Sequence, residues 1–312
     1  MSKTVWMFPG QGAQKAGMAK DFYENSVLAG QLFDEADAAL DFDLKAICFE
    51  ENEKIHQTEY TQPCLVTACL AIAQELRARG RKPDMTAGLS LGEYAAIAAA
   101  GGMGALDAIR LVRRRGLLMQ NTVPAGVGSM CAVLGMETAV IEDVIADMEG
   151  VTVANYNCPG QIVITGRTAA VQTAAEKLKA VGARRVVPLK VSGPFHSPLL
   201  ESAGEELARE LASVEFHGLE APYYANVTAA KVTDSAEIAP LLAKGVSSPV
   251  HWQQSVEAMI ADGADTFVEI GPGRTLAGFL KKINPDVNVY NVATWEDMEN
   301  LPQTGKRKQT EV

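Results

Sequence analysis

The sequence predicts an α/β protein: a parallel sheet covered by helices and interrupted by a compact insert. Three observations carry this. Short apolar runs alternate with helical patterns at both ends of the chain, which is how parallel strands and their crossover helices read. Between residues 125 and 192 the order becomes β-α-β-β-α-β, the ferredoxin-like arrangement of two similar halves. Gly88-Leu89-Ser90-Leu91-Gly92 stands between a strand and a helix, the setting of a nucleophile elbow.

The elements follow in order. Thr4–Phe8 is a buried strand stopped by Pro9-Gly10. Helical spacing covers Met18–Leu40 and Cys64–Arg79, the second ended by Gly80 and Pro83. Asp84–Ala87 is the strand before the elbow, Glu93–Ala98 the helix after it, and Leu106–Asn121 a further helix. In the insert, Met130–Leu134, Thr152–Tyr156, Ile162–Thr165 and Arg185–Val191 are strands, with helices over Thr138–Met148 and Ala169–Val181. After Gly193-Pro194 the first pattern resumes: a helix over Leu199–Val214, strands at Tyr223–Val227 and Thr266–Ile270, a helix over Thr275–Ile283 and a last strand at Asn288–Val292. The domain division is therefore 1–124 and 193–295 for the core and 125–192 for the insert. From Trp295 the chain turns polar and loses periodicity, so 296–312 is expected to be a disordered tail.

Composition narrows the function. Apolar residues make up 47% of the 312, enough for a large core. A net charge of −10 opposes nucleic-acid binding and general attraction to an anionic membrane. The apolar run Ala95–Leu106 is broken by Gly101, Gly102 and Gly104 and is not a membrane span. The five cysteines form no Cys-x-x-Cys pair, which argues against a disulfide framework or a zinc site and fits the cytoplasm. No metal or cofactor is expected.

The elbow supplies the chemistry. Its glycines permit a sharp turn that holds Ser90 out of the backbone, and the helix beyond it points N–H groups at developing negative charge. A serine nucleophile needs a base. Of the four histidines, His56 and His217 sit in polar loops and read as solvated. His196 lies past the C-terminal end of a strand, where α/β sites collect, and His251 is the weaker candidate. The Leu91 N–H is one oxyanion donor, and the loop Phe8–Gln14 is the natural source of a second. Gly10 and Gly12 lack the third glycine of a dinucleotide loop, since Lys15 stands there. In Arg113-Arg114-Arg115 three successive helical residues point three ways: Arg113 and Arg114 are expected on a solvated face, and one arginine can turn inward toward a substrate carboxylate.

Taken together, Phe8-Pro9-Gly10-Gln11-Gly12, Thr61-Gln62-Pro63, the elbow with Glu93-Tyr94, Arg115-Gly116, Asn157-Cys158-Pro159-Gly160-Gln161, Phe195-His196-Ser197 and Glu269-Ile270-Gly271-Pro272-Gly273 resemble the malonyl-CoA:acyl-carrier-protein transacylases. The resemblance implies an α/β-hydrolase-like core with a ferredoxin-like insert. It also implies a ping-pong transfer of malonyl from malonyl-CoA to the phosphopantetheine thiol of an acyl carrier protein. By position it makes Ser90 the nucleophile and His196 its base. Gln11 and Leu91 become the oxyanion donors, and Arg115 with Phe195 the acyl-binding residues. Two positions depart from the family: Leu89 replaces a frequent histidine, and Lys244-Gly245-Val246-Ser247-Ser248 lacks a frequent glutamine. The family orients its histidine with a main-chain carbonyl of that segment, here Gly245 or a neighbour. The carriers are acidic, as this chain is, so docking is expected on a local basic patch: Lys177, Lys179, Arg184, Arg185 and Lys190 of the insert. A serine esterase or thioesterase, or a non-catalytic carrier-docking subunit, are the competing readings.

Overall fold

A computed structural model describes residues 2–302, and the molecule is a mixed α/β protein with two sheets. The strands are β1 (Lys3–Phe8), β2 (Met85–Gly88), β3 (Gly128–Leu134), β4 (Val151–Cys158), β5 (Gln161–Arg167), β6 (Arg185–Pro188), β7 (Tyr223–Tyr224), β8 (Lys231–Val232), β9 (Ala264–Ile270) and β10 (Asn288–Val292). The larger sheet has the order β10-β9-β1-β2-β7-β8. Its first five strands are parallel, and β8 closes the edge antiparallel. β1 is buried from Val5 to Phe8 because helices cover both faces, so its sequence is a continuous apolar run.

The smaller sheet, β4-β5-β3-β6, is antiparallel and carries helices Thr138–Ile145 and Thr168–Ala180. Val133, Ile141, Ile162, Ile164, Val171 and Leu178 pack as its own core. This unit is joined to the main body beyond its connecting segments: the Tyr156 N–H donates to Val250 O at 2.9 Å, and the Val250 N–H to Ala154 O at 2.8 Å.

Four expectations need correction. The helix expected over Met18–Leu40 is two helices, Lys20–Asn25 and Val27–Ala39. Ser26 is extended there, and its side chain caps the second by accepting from the Ala29 N–H. The helix expected from Cys64 starts at Thr58, so Pro63 lies inside it. A proline removes the N–H that would bond Glu59 O. Arg113 Nη1 donates to that oxygen at 2.9 Å instead. Arg113 is accordingly not on a solvated face. It is 7% exposed, paired with Asp41 and Glu59 and set over the rings of Phe42 and Tyr60. Arg114 is solvated as expected, in an exposed pair with Glu210. Lastly, Trp295–Glu299 is a helix, held by a capping box of Thr294 and Asp297 and by buried Met298. The rest of the expected tail, residues 303–312, lies outside the described residues.

Candidate active site

Strand register places the site. Phe8, the last residue of β1, pairs with Gly88, the last of β2. The loop Pro9–Gln11 therefore leaves the sheet beside the elbow. Contact is close enough to require glycine: a Cβ on Gly92 would lie 2.1 Å from Phe8 O, and one on Gly10 would lie 2.6 Å from Leu89 O. Gln11 Nε2 donates to Thr58 Oγ1, which also touches Ser192 Oγ at 2.8 Å. One hydroxyl thus ties the loop after β1 to the segment that leads to His196.

Ser90 sits at the turn with φ +52°, and His196 has φ +58°. Left-handed backbone at a non-glycine residue costs about 1–3 kcal/mol and persists only where neighbours enforce it. For Ser90 the enforcer is Asn226, two residues beyond β7. The Ser90 N–H donates to Asn226 Oδ1 at 2.6 Å, and Asn226 Nδ2 donates to Gly88 O at 2.7 Å. The amide orientation is fixed, because a main-chain N–H only donates and a carbonyl only accepts. The Asn226 N–H donates in turn to Glu93 Oε1 at 3.1 Å. Glu93 is 3% exposed, and burial pushes its carboxyl up to about 8.

Ser90 Oγ lies 2.7 Å from His196 Nε2. His196 Nδ1 lies 2.9 Å from Gly245 O and 3.1 Å from Ser248 O. Both partners are carbonyls, so Nδ1 carries the proton. Nε2 is then the acceptor, and the serine hydroxyl donates to it. Burial, and secondarily the Arg115 charge, pull the His196 pKa down to about 4. The imidazole is therefore neutral, and available as a base, across the neutral range. His251 is elsewhere: its ring stacks on Tyr156 at 4.9 Å, and only its backbone N–H reaches the site's framework, donating to Asn226 O. His56 and His217 are exposed, as expected.

Arg115 is the arginine that turns inward. It is 3% exposed, and Nη2 donates to Ser90 Oγ at 3.1 Å. Its guanidinium lies over the Tyr94 ring at 5.3 Å. Ser90, Arg115, His196 and Asn226 line one cleft with Glu93, Tyr94, Leu242 and Gly245. Its free volume is only about 10 Å³, room for roughly one water molecule. Among the described residues, neither the Leu91 nor the Gln11 N–H has a protein acceptor. Phe195 is 6% exposed and does not line the cleft.

The elbow and His196 were expected here; Asn226 was not. The available signal was its position at the C-terminal end of a core strand, the edge where α/β sites collect. It went unread because a lone asparagine is more often a turn residue.

The chain matches the acyl transferase domain family over residues 5–301. It is 42% identical over 313 residues to a malonyl CoA-acyl carrier protein transacylase of Bacillus subtilis, covering 99% of each chain. A protein of the same name from Staphylococcus aureus is 42% identical over 304 residues, covering 96% of this chain and 98% of the other. An acyl carrier protein S-malonyltransferase from Vibrio cholerae superposes with a TM-score of 0.93 at 39% identity, over 96% of this chain and all of the other. A malonyl-transacylase solved in complex with its type II polyketide acyl carrier protein superposes with a TM-score of 0.92 at 36% identity, over 96% and 98% of the two chains.

Proposed function

This chain belongs to the acyl transferase family, among the malonyl CoA-acyl carrier protein transacylases, and from that premise we propose how its own residues carry out malonyl transfer. The observation that carries the reading is the serine oxygen held between a neutral imidazole and a buried guanidinium.

In the first half-reaction Ser90 Oγ attacks the thioester carbonyl of malonyl-CoA while its proton passes to His196 Nε2. The Oγ–C bond forms, and the Leu91 and Gln11 N–H groups receive the oxyanion. The C–S bond then breaks, and the CoA sulfur takes the proton from His196. Gly245 O and Ser248 O stabilise the imidazolium through Nδ1–H, as a carboxylate does in other hydrolase-type sites. The second half-reaction runs in reverse with the phosphopantetheine thiol of an acyl carrier protein. Arg115 binds the free malonyl carboxylate. Phe195, immediately before His196, supports acyl selection by fixing that loop. The main body acts as an α/β-hydrolase-like core (1–124 and 193–295). The unit at 125–192 acts as a ferredoxin-like insert, supported by its β-α-β-β-α-β order and the β4-β5-β3-β6 sheet. Among the described residues no helix is long and apolar enough to cross a membrane. Five buried free thiols suit a reducing cytoplasm.

The test is mass spectrometry after mixing with malonyl-CoA alone. One malonyl group on a peptide containing Ser90 is expected. Acylation at another residue, such as Cys131, refutes the mechanism.

A further inference from the structure

Thr58 opens the helix Thr58–Ala78 and is 1% exposed, yet its hydroxyl contacts two segments of the proposed site. Gln11 Nε2 donates to Thr58 Oγ1 at 3.1 Å, and Ser192 Oγ lies 2.8 Å from the same atom. A threonine hydroxyl has one hydrogen and two lone pairs. Accepting from the amide leaves its hydrogen to place, and among the described residues Ser192 Oγ is the acceptor within reach. Ser192 is exposed and can pass its own hydrogen to water. The bonds therefore run in one sense, from Gln11 through Thr58 to Ser192, and in that sense each polarises and strengthens the next.

Each end of this chain of bonds carries a group that the transfer needs. Gln11 bears the N–H proposed as the second oxyanion donor, and its side chain has no other hydrogen-bond partner among the described residues. Ser192 begins the segment that leads through Phe195 to His196. No N–H group from Ser192 to Phe195 donates a main-chain hydrogen bond to a described residue; the first to do so is His196, to Val246 O at 3.2 Å. Thr58 itself is firmly held. The adjacent Glu59 N–H donates to Gln120 Oε1 at 3.3 Å, and Arg113 Nη1 donates to Glu59 O at 2.9 Å. Gly116 packs so closely that a Cβ there would lie 3.0 Å from Thr58 O. Thr58 is thus a fixed post against the helix Ala105–Asn121, the helix that also presents Arg115.

We propose that Thr58 is a positioning residue for acyl transfer: its hydroxyl fixes the Gln11 donor and the His196 segment relative to each other. This role rests on the proposed chemistry at Ser90. There the Gln11 N–H acts on the carbonyl oxygen while the imidazole takes the serine proton, so both must be in place in the same step. Malonyl-CoA is held by other contacts. Losing the hydroxyl therefore slows the bound complex and leaves binding nearly unchanged. A threonine that only filled space would behave differently: valine would replace it well and serine badly.

Single-turnover acylation of Ser90, read by mass spectrometry over a range of malonyl-CoA concentrations, tests this. Thr58→Val keeps the branched shape and removes both bonds. Its saturated rate should fall about tenfold to a hundredfold, short of the loss of a whole oxyanion donor. The half-saturating concentration should move by less than about threefold. Thr58→Ser restores the hydroxyl and should recover most of the rate. Ser192→Ala, at an exposed side chain, should cost about threefold to tenfold, the range for one neutral hydrogen bond. Added to Thr58→Val it should cost much less, because both cut one chain of bonds. A folded Thr58→Val protein that acylates at the wild-type rate overturns the proposal, as does a Thr58→Ser protein slower than Thr58→Val. Should Thr58→Val fail to fold, Ser192→Ala decides: an unchanged saturated rate overturns the link to His196. A wild-type protein that malonyl-CoA does not label at Ser90 refutes the transferase reading itself, and the positioning role falls with it.

Discussion

Removing the Asn226 side chain tests whether the elbow's geometry is imposed from outside. In Asn226→Ala two buried main-chain groups lose their partners: the Ser90 N–H, now 2.6 Å from Oδ1, and Gly88 O, now 2.7 Å from Nδ2. An unsatisfied buried group costs about 1–3 kcal/mol, and water enters a half-buried turn only in part. A stability loss on the order of 2–4 kcal/mol is expected, read as a lower urea midpoint at unchanged m-value. The catalytic effect is separable. Without the amide, the strain at φ +52° is relieved by letting the turn relax, and Ser90 Oγ leaves its 2.7 Å contact with His196. Misplacement on the ångström scale costs about a hundredfold in rate. The single-turnover acylation rate should fall by that order, while the KM for malonyl-CoA changes by less than about threefold, because Arg115 lies on a different helix and keeps its place. Asn226→Asp keeps an acceptor for Ser90 but sets a carboxylate against Gly88 O. It should recover part of the acylation rate and little of the stability. A variant that loses stability yet acylates at the wild-type rate would show that Asn226 supports the fold only, and the positioning argument would fail.

Three other outcomes are expected. His196→Ala should slow acylation by about two to four orders of magnitude, whereas His251→Ala, whose ring stacks on Tyr156, should leave it near normal; the reverse ranking refutes the base assignment. Since the His196 pKa is held near 4, the acylation rate should rise with pH along a limb centred well below 6.5, and Arg115→Met should move that limb upward; a wild-type limb at 6.5 or above contradicts the buried, neutral base. Because the folded histidine binds its proton less well than the unfolded one, stability from this residue is present above 6.5 and lost as pH falls toward 4, by on the order of 3 kcal/mol. Lys177, Lys179, Arg184, Arg185 and Lys190 are exposed and have no acidic partner among the described residues, so reversing two of their charges should weaken transfer to carrier most at low salt and leave acylation by malonyl-CoA intact; unchanged transfer kinetics count against this patch.

What could be read from the sequence was whatever local spacing controls. The strand–turn–helix around Ser90, the β-α-β-β-α-β order and the strands of the parallel sheet depend on short-range pattern and on glycine, and they were legible. The errors came where a distant residue overruled a local rule. The helix expected from Cys64 begins at Thr58 and runs through Pro63, and nothing nearby in the sequence shows that Arg113 supplies the donor the proline lacks. Arg113 in turn looked solvated, because Asp41 and Glu59 are far off in sequence. The helix at Trp295 was missed for another reason: its Thr294-x-x-Asp297 box was visible, but the polar composition beyond it suggested a tail.

The same distinction divides the site. Ser90 was legible because it stands in a short motif at the end of a core strand; for His196 only the motif held, since the strand expected to run to Val191 ends at Pro188 and belongs to the smaller sheet. Arg115 was legible only as one of three, and its direction needed the family resemblance. Asn226 had no local signature, since its function consists of two hydrogen bonds to residues more than a hundred positions away. Yet it is Asn226 that makes the elbow's serine usable. A Gly-x-Ser-x-Gly turn permits a left-handed serine but does not select it. Selection comes from the amide that grips both ends of the turn, and from the buried Glu93 that holds the amide's own backbone. In the proposed mechanism the nucleophile is oriented by Asn226, just beyond β7, deprotonated by His196 and contacted by Arg115 on the helix Ala105–Asn121. Three separate parts of the chain meet on one oxygen. A motif search sees the oxygen; the chemistry depends on how those three parts share its one hydrogen and two lone pairs.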